Sequence, residues 1–205
     1  MTFAFAEPKL EALDELDNRC LVLTFFADDR PLRGLTGRVD WRLCGQLSRL
    51  MISDFVDGHF CEAMLTPLGG RLPFERLLLV GMGRRSDFGP ERFEEICRFC
   101  FGALARMGVN DFAMSLPGRV GLDVGLRQAL RGWRSALIET FEPEALGGLR
   151  VCILEAADVQ RELVEPMRDL ERELQDRAVG DEGRTDAHGD RDEAGAGAEA
   201  LESPT

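Results

Sequence analysis

Apolar residues follow two spacings along this chain, and the two spacings alternate from one segment to the next. Continuous apolar runs that are rich in strand-forming residues predict strands buried on both faces. Runs of this kind occupy residues 20–27, 61–68, 76–80, 111–118 and 149–156. Between them, apolar residues recur at steps of three and four, as along one face of an α-helix.

The helical segments carry start and stop signals. Pro90 suits a first helical turn because its missing N–H would have no partner there, and Gly108 suits the end of that helix. Asp40 is a candidate N-cap for another helix. The apolar stripe of the helix that begins at Pro90 comprises Phe93, Ile96, Cys97, Cys100, Phe101 and Leu104. The stripe of the helix after Asp40 comprises Leu43, Cys44, Leu47, Leu50 and Met51. Leu122, Leu126, Leu130, Trp133 and Leu137 predict a further helix, and the last helix is predicted from about residue 158.

Strands that alternate with helices predict a mostly parallel sheet with helices on both faces. We therefore predict a single α/β domain over residues 15–178, with a three-layer architecture and a mixed, mostly parallel sheet. Residues 1–14 are predicted to form an N-terminal extension. A chain of 205 residues with 44% hydrophobic content is long enough to bury one such core.

Charge sets the end of the chain apart from the rest. The net charge is −12, and the residues from Glu171 onward hold eleven acidic residues against four arginines, a net charge of −7. Residues 180–205 contain one leucine and no aromatic residue, so they bury too little apolar surface to offset the entropy of ordering. We predict a disordered acidic tail over residues 179–205, which either aids solubility or binds a partner. The acidic balance argues against nucleic acid as a partner.

The sequence favours a cytoplasmic protein that does not contact membranes. No apolar run approaches the roughly 20 residues that cross a bilayer, and the N-terminus lacks the basic and apolar segments of a signal peptide. The six cysteines are expected to be reduced. Cys97 and Cys100 form a CxxC pair, which is typical of a redox site or half a zinc site, but both lie on one apolar stripe, so core packing is favoured.

The loop that follows the strand at residues 76–80 is the candidate ligand site. It comprises Gly81, Met82, Gly83, Arg84 and Arg85. Open α/β sheets bind ligands at the carboxyl ends of their strands, and backbone N–H groups with two arginines suit an anion. The dinucleotide fingerprint fails, because Ser86 occupies the position of its third glycine and the helix begins only at about Pro90. Either the loop binds an anionic ligand, or its glycines only turn the chain out of the sheet.

Groups for catalysis are scarce in this sequence. His188 lies in the predicted tail, so only His59 is available for a nucleophilic triad. Asp54, Asp57 and His59 are close enough to suggest a metal site, but aspartates before Gly58 are also typical of a turn. We favour the turn, and we predict neither a metal site nor a cofactor.

Several segments, in their order along the chain, resemble the N-terminal domain of the leucyl aminopeptidases, peptidase family M17. They are DNRCLVLTFF, GRVDWRLCGQLSRLMISDFVDGHFCEAMLTP, RLLLVGMGRRSDFGPERFEEICRFCFGALARMGVNDFAMSLPG, LRQALRGWRSALIETFEP and LRVCILEAAD. The resemblance covers roughly residues 15–160. It implies a macro-domain-like fold, in agreement with the α/β class predicted from the pattern alone.

The resemblance also implies a function without catalysis. In that family a separate C-terminal domain binds two metals through a lysine, aspartates and a glutamate, whereas the only lysine of this chain is Lys9, before the first predicted strand. We expect a non-catalytic relative that acts as an interaction, assembly or regulatory module, with a protein partner or by self-association. The alternatives are a macro-like binder of ADP-ribose or a related nucleotide and, less favoured, a metal-dependent aminopeptidase.

Overall fold

The computed structural model describes residues 1–118 and 125–185, which form a six-stranded sheet between two layers of helices. The strands are β1 (Thr2–Ala6), β2 (Cys20–Phe25), β3 (Ala63–Pro67), β4 (Arg76–Gly81), β5 (Asp111–Met114) and β6 (Arg150–Leu154). The helices are α1 (Leu10–Asp14), α2 (Gly34–Arg42), α3 (Gln46–Ile52), α4 (Pro90–Arg106), α5 (Leu126–Thr140), α6 (Pro143–Gly147) and α7 (Ala157–Thr185). The predicted three-layer α/β class is confirmed.

The sheet is mixed and mostly parallel, as predicted. Its strand order is β1-β6-β5-β2-β4-β3, and every neighbouring pair is parallel except β3 and β4. In the register of β2 and β4, Phe25 lies opposite Gly81. The carboxyl ends of these two parallel strands therefore lie side by side, and the chain leaves both strands on the same side of the sheet.

Alternate residues of each strand face different helical layers, because side chains in a strand alternate between its two faces. In β2, Cys20 and Val22 pack in one core with α4, α5 and α7. Leu21 and Leu23 pack in a second core with α1, α2 and α3. Burial on both faces explains why β2 appears in the sequence as a continuous apolar run.

Helix α4 follows the predicted pattern closely. It begins at Pro90, and Gly108 after its end adopts a φ of 63°, a left-handed conformation that suits glycine. Cys97 and Cys100 are fully buried in the core. Burial raises the pKa of the Cys100 thiol to about 12 and the pKa of the Cys97 thiol well above its usual value. The CxxC pair is thus part of the core, as favoured from the sequence.

The prediction of an N-terminal extension over residues 1–14 is wrong. Strand β1 pairs in parallel with β6, with Thr2 opposite Arg150, and Leu13 of α1 is fully buried. The strand has only five residues, and its partner lies almost 150 residues away in the chain. Its stability comes from this long-range pairing, for which the local sequence holds no signal.

The prediction of a helix at residues 43–51 is also wrong in one respect, because residues 43–45 form a break between two helices. Helix α2 ends at Arg42, and both Cys44 (φ 56°) and Gly45 (φ 74°) adopt left-handed conformations before α3 begins. Asp40 does cap a helix, but it lies within α2 and caps α3. Its carboxylate accepts hydrogen bonds from the N–H groups of Leu47 (2.8 Å) and Ser48 (3.1 Å).

Helix α7 continues to Thr185 and so includes the first residues of the predicted tail. The rest of that tail, residues 186–205, lies outside the described residues, as does Leu122 of the predicted stripe. No helix in the described part of the chain is long and apolar enough to cross a membrane.

Candidate functional site at the carboxyl ends of the strands

Three segments meet where β2 and β4 end. Residues 26–33 follow β2, residues 82–88 follow β4, and residues 57–62 lead into the antiparallel strand β3 at the same edge. The first two segments hydrogen bond directly, since the Met82 N–H donates to the Phe25 carbonyl (2.9 Å) and the Ala27 N–H to the Gly83 carbonyl (2.8 Å). The predicted ligand loop is therefore the central one of three packed segments.

The glycines of this loop allow a close approach of backbones. A Cβ added to Gly81 would lie 2.3 Å from the His59 carbonyl oxygen and 2.8 Å from the Cα of Gly58. A Cβ added to Gly58 would in turn lie 2.9 Å from the Cα of Ala27, and Gly58 adopts a φ of 82°. Gly83 has a φ of 72°, which also favours glycine. Packing of the three segments thus accounts for these glycines without a ligand.

Most backbone N–H groups of the loop already donate within the protein. The Gly81 N–H donates to the Glu62 carbonyl (2.8 Å) and the Gly83 N–H to the Gly58 carbonyl (2.9 Å). The Arg85 N–H donates to the carboxylate of Asp28 (3.1 Å). A protein anion therefore occupies one of the positions that the sequence assigned to a bound anion.

The two arginines of the loop differ in their surroundings. Arg85 is half-buried: its guanidinium donates to both carboxylate oxygens of Asp29 (3.0 and 3.2 Å) and lies 4.2 Å from the centre of the Phe26 ring. Asp29 is only 6% exposed, so the carboxylate of this ion pair is shielded from water while the guanidinium stays partly exposed. The Arg84 side chain is exposed, and it has no ion pair within the described residues. Arg84 is the cation of the loop that remains available to an incoming group.

The turn before β3 holds a second carboxylate in a ring of backbone donors. The Glu62 carboxylate accepts hydrogen bonds from the N–H groups of Asp57 (3.0 Å), Gly58 (2.6 Å) and His59 (3.1 Å). Successive N–H groups that converge in this way form a concave anion site of the kind that binds phosphate in other proteins. Here the site is filled by the side chain of the same turn.

Asp57 and His59, which suggested a metal site, lie together on the surface. His59 Nε2 is 3.7 Å from Asp57 Oδ2, and the His59 side chain is 80% exposed. The chain turns at Gly58, as favoured from the sequence. Over residues 1–118 and 125–185, no group of three or more His, Cys, Asp or Glu residues is placed to hold a metal ion.

Sequence reasoning missed three residues that shape this edge of the sheet: Asp28, Asp29 and Glu62. The two aspartates directly follow the buried run that becomes β2. The argument applied to the carboxyl end of β4 would have found them at the carboxyl end of β2. Glu62 had no comparable signal, because its role depends on how the turn at residues 57–59 folds back over it.

A separate cleft of about 780 Å³ lies between α2 and α3, lined by Leu32, Trp41, Cys44 and Ser48 among others. Its polar groups are used by the helices themselves. Ser48 hydrogen bonds to Asp40, and Arg42 donates to Asp14 (2.9 Å). The cleft therefore offers mainly apolar contacts, and the carboxyl ends of the strands remain the candidate site.

The fold is shared with macrodomains and with the leucine aminopeptidases. A Trypanosoma brucei macrodomain solved in complex with ADP-ribose superposes with a TM-score of 0.60 at 16% identity, over 78% of this chain and 66% of that one. A mutant of tomato leucine aminopeptidase superposes with a TM-score of 0.55 at 14% identity, over 87% of this chain and 36% of that one. At these identities the similarity concerns the fold, which is that of a macrodomain-like α/β protein.

Sequence comparison gives the family. The profile of the cytosol aminopeptidase family, N-terminal domain, matches residues 22–138, more than half of the chain. The protein therefore belongs to the cytosol aminopeptidase family by its N-terminal domain.

Two relatives in this family are named as probable cytosol aminopeptidases. The one from Geobacter sp. (strain M21) is 30% identical over 152 residues, which are 70% of this chain and 30% of the relative. The one from Chromohalobacter salexigens is 29% identical over 123 residues, 59% of this chain and 23% of the relative. The chain thus spans less than a third of the length of either relative.

Proposed function

We propose that this domain is a non-catalytic interaction or assembly module of the cytosol aminopeptidase family. The observation that carries the proposal is the state of the strand ends. Arg85 bonds to Asp28 and Asp29, most loop N–H groups donate to backbone carbonyls, and the Glu62 carboxylate accepts from the N–H groups of residues 57–59, so few polar groups are left for a substrate. A catalytic site needs reactive groups that are fixed in place and still accessible.

The scarcity of metal ligands supports the same proposal. A two-metal hydrolytic site needs several carboxylates on a rigid frame, and the described residues provide no such group. Lys9 is exposed and pairs with Glu7 (2.9 Å). On this proposal, the hydrolytic activity of the family resides in the portion of the relatives that this chain does not span.

Exposed apolar side chains give the interaction role a physical basis. Ile52 is 81% exposed, Trp41 75%, Phe55 68% and Leu65 49%. Protein interfaces are enriched in aromatic residues, and their buried centres are depleted of charge. Residues of this kind on an otherwise charged surface are the contacts that an assembly would cover.

Hydrolysis of leucine p-nitroanilide tests the proposal directly. The purified chain, supplied with manganese or zinc, is expected to show no turnover above a blank without protein. The His59→Ala variant serves as the matched sample, because it removes the one described histidine beside an aspartate. Turnover that survives repurification and is lost in His59→Ala or on chelation would refute the non-catalytic role.

A second candidate function is the binding of a nucleotide-type ligand at the loop of residues 81–85. It is favoured by the Trypanosoma brucei macrodomains solved with ADP-ribose and with ADP, whose fold this chain shares. Arg84 would supply the exposed positive charge. The Arg85 N–H would become available to a phosphate only if Asp28 moved away, because this carboxylate now accepts its hydrogen bond. That displacement makes this function the less favoured of the two.

Thermal denaturation with ADP-ribose or ADP separates the two candidates. A ligand at 100 times its dissociation constant stabilises a fold by about 2.7 kcal/mol, which raises the melting temperature by a few degrees. We expect no shift. A saturable shift that is lost in Arg84→Ala, and kept in the control variant Arg38→Ala on α2, would establish the nucleotide site instead.

A further inference from the structure

The surface formed by α2 and α3 is basic, although the chain as a whole is acidic. Residues 30–53 contain five arginines and one acidic residue, a net charge of +4 in a chain whose net charge is −12. The acidic residue, Asp40, is buried and accepts hydrogen bonds from the N–H groups of Leu47 and Ser48. It therefore adds little negative charge to the surface on which the arginines lie.

Three of the arginines, which we call the rim arginines, lie beside the cleft between α2 and α3. Arg49 donates to the Cys44 carbonyl (2.6 Å), and Arg71 donates to Cys44 Sγ (2.7 Å). Both are exposed, and over residues 1–118 and 125–185 neither forms an ion pair with a carboxylate. The third, Arg42, lines the cleft and binds Asp14 (2.9 Å). The rim arginines thus leave positive charge available to an anionic group.

The cleft itself adds apolar contacts to this charge. Leu32 and Trp41 are among its lining residues, and Trp41 is 75% exposed. Carboxylates form charge-assisted hydrogen bonds with guanidinium groups, and an aromatic ring offers a large apolar surface to a neighbouring side chain. The surface therefore suits a peptide segment that carries several carboxylates and an apolar residue.

We propose that residues 186–205 of the same chain occupy this cleft. The segment contains six acidic residues and one arginine, a net charge of −5, and Leu201 is its one leucine. Its carboxylates would pair with Arg49 and Arg71, and Leu201 would lie against Trp41. This inference concerns the position of the segment, and it does not rest on the function proposed above.

Helix α7 leads towards the end of the sheet at which the rim arginines lie. Just before α7, the Glu155 N–H donates to the carbonyl of Ala6 at the carboxyl end of β1 (3.0 Å). Further along the helix, Glu171 accepts the N–H of Phe3 near the amino end of the same strand (2.6 Å). The helix therefore runs from the carboxyl ends of the strands towards their amino ends, and the segment after it begins there.

The segment is long enough to reach the cleft. Arg71 lies five residues before β4 begins, and the Arg42 guanidinium approaches its carbonyl (3.5 Å), so these arginines also lie towards the amino ends of the strands. From the rise of a helix and the spacing of strands and layers, the direct separation between Thr185 and the rim arginines is about 35 Å. About twelve extended residues span 40 Å, and residues 186–205 number twenty.

Attachment to the same chain makes weak contacts sufficient. A segment joined by a short linker has an effective concentration in the millimolar range. Contacts that correspond to a dissociation constant of about 1 mM would then occupy the cleft for about half of the time. An acidic segment of another protein has no such advantage, because it binds at its own concentration in solution. This difference, together with the opposite charges, selects residues 186–205 as the occupant.

Acrylamide quenching of tryptophan fluorescence in the full chain tests the inference. The chain has two tryptophans, and because Trp133 is fully buried the quenching reports on Trp41. A variant of full length removes the charge of the segment by the substitutions Asp186→Asn, Asp190→Asn, Asp192→Asn, Glu193→Gln, Glu199→Gln and Glu202→Gln. We expect its quenching constant to be about twofold higher, as Trp41 changes from half covered to open. Salt at about 1 M should give the same rise in the native chain, because it shortens the screening length to about 3 Å.

Substitution of the rim arginines tests the other side of the contact. Arg49→Gln combined with Arg71→Gln should raise the quenching constant by the same factor. Neutralising the segment in that background should add nothing, because both changes remove one interaction. Arg106→Gln is the matched control, an exposed arginine in the last turn of α4, and it should leave the constant unchanged. A full further rise in the combined variant would show that the arginine changes act only on local structure, and it would overturn the inference.

The remaining outcomes assign the cleft to other occupants. An unchanged quenching constant after neutralisation of residues 186–205 overturns the inference. If added polyglutamate protects Trp41 in that case, the cleft belongs to an acidic partner instead. A quenching constant that falls as the protein concentration rises would place the segment in the cleft of a second copy, which also contradicts docking within one chain. None of these results depends on peptidase activity, so they leave the test of the proposed function separate.

Discussion

The two helical layers each bury an apolar core against the sheet, but they differ in the contacts added to that core. On one face, α4 and α5 bury a group of aromatic rings in which Phe101 lies 5.2 Å from Trp133, 6.1 Å from Phe112 and 6.2 Å from Phe141, between ring centres. On the other face, α1, α2 and α3 have only 5, 9 and 7 residues. Helices this short are marginal by themselves and depend on tertiary contacts.

Directional bonds hold the layer of short helices. Asp40 caps α3, the Thr36 hydroxyl donates to the Thr24 carbonyl (2.8 Å), and Arg42 binds Asp14. Both layers also depend on apolar burial, which needs no particular partner atom, and in the aromatic layer this burial includes the packed rings around Phe101. We therefore expect single substitutions in the layer of α1, α2 and α3 to act by removing a specific bond. In the layer of α4 and α5 they should act by leaving a cavity.

Thiol chemistry should distinguish the layers most strongly. Cys44, between α2 and α3, is exposed, whereas Cys100 in α4 is buried. Burial raises the pKa of Cys100 from 9.0 to about 12, so this thiol stays protonated at pH 8 and reacts far more slowly than an exposed thiol. With Ellman's reagent we expect one fast native reaction, which Cys44→Ser removes. A similarly fast reaction of Cys97 or Cys100 would show that the aromatic layer is open.

Truncation of an aromatic ring should produce the largest change in stability. Phe101 is fully buried among three other rings, and Phe101→Ala is expected to lower the free energy of unfolding by about 3–5 kcal/mol. Phe99→Ala on the same helix is the control, because Phe99 is only partly buried. Denaturant titration measures both. Equal losses for the two variants would contradict the layered packing.

Removal of the cap should have an intermediate effect on the short-helix layer. Asp40→Ala leaves the N–H groups of Leu47 and Ser48 without their acceptor, so we expect a loss of about 2 kcal/mol. Asp40→Asn keeps an oxygen in place and should lose less. Denaturant midpoints of the two variants provide the test, and identical midpoints would mean that the cap contributes nothing.

The surface ion pair should contribute least. Arg42 and Asp14 are 2.9 Å apart, with side chains 29% and 39% exposed, and their attraction is screened by water. Arg42→Ala should therefore lower the free energy of unfolding by less than either Phe101→Ala or Asp40→Ala does. The same titration in high salt is the control, because salt weakens this pair in the native chain. A larger loss would show that Arg42 acts by packing between α2 and Arg71, whose carbonyl it also approaches.

The sequence predicted those elements whose signals are local. The strand β2 and the helix α4 contain their own evidence, in an apolar run and in a stripe between Pro90 and Gly108. Strand β1 has no such evidence, because its partners are β6 and Glu171. The break between α2 and α3 was missed because Cys44, a residue that rarely adopts a left-handed conformation, does so here.

The sequence predicted where the candidate loop lies, but not which residues it contacts. Reasoning from the sequence placed residues 81–85 after the strand, and in the structure Gly81 is the last residue of β4 and residues 82–85 follow it at the carboxyl end. It could not reveal that Gly81 lies against Gly58, or that Asp28 accepts the Arg85 N–H. These contacts join segments that are distant in the chain, so no spacing within one segment predicts them. Ligand binding by this loop stays a prediction.

The carboxylate of Glu62 has a consequence for any free anion that reaches this surface. Because Glu62 is tethered three to five residues from the N–H groups it binds, its effective concentration at that concave site is in the millimolar range or above. A dissolved phosphate or chloride at lower concentration cannot displace it. While free anions stay below that concentration, the turn at residues 57–59 keeps its shape and supports the Gly81–Gly83 backbone that packs against it.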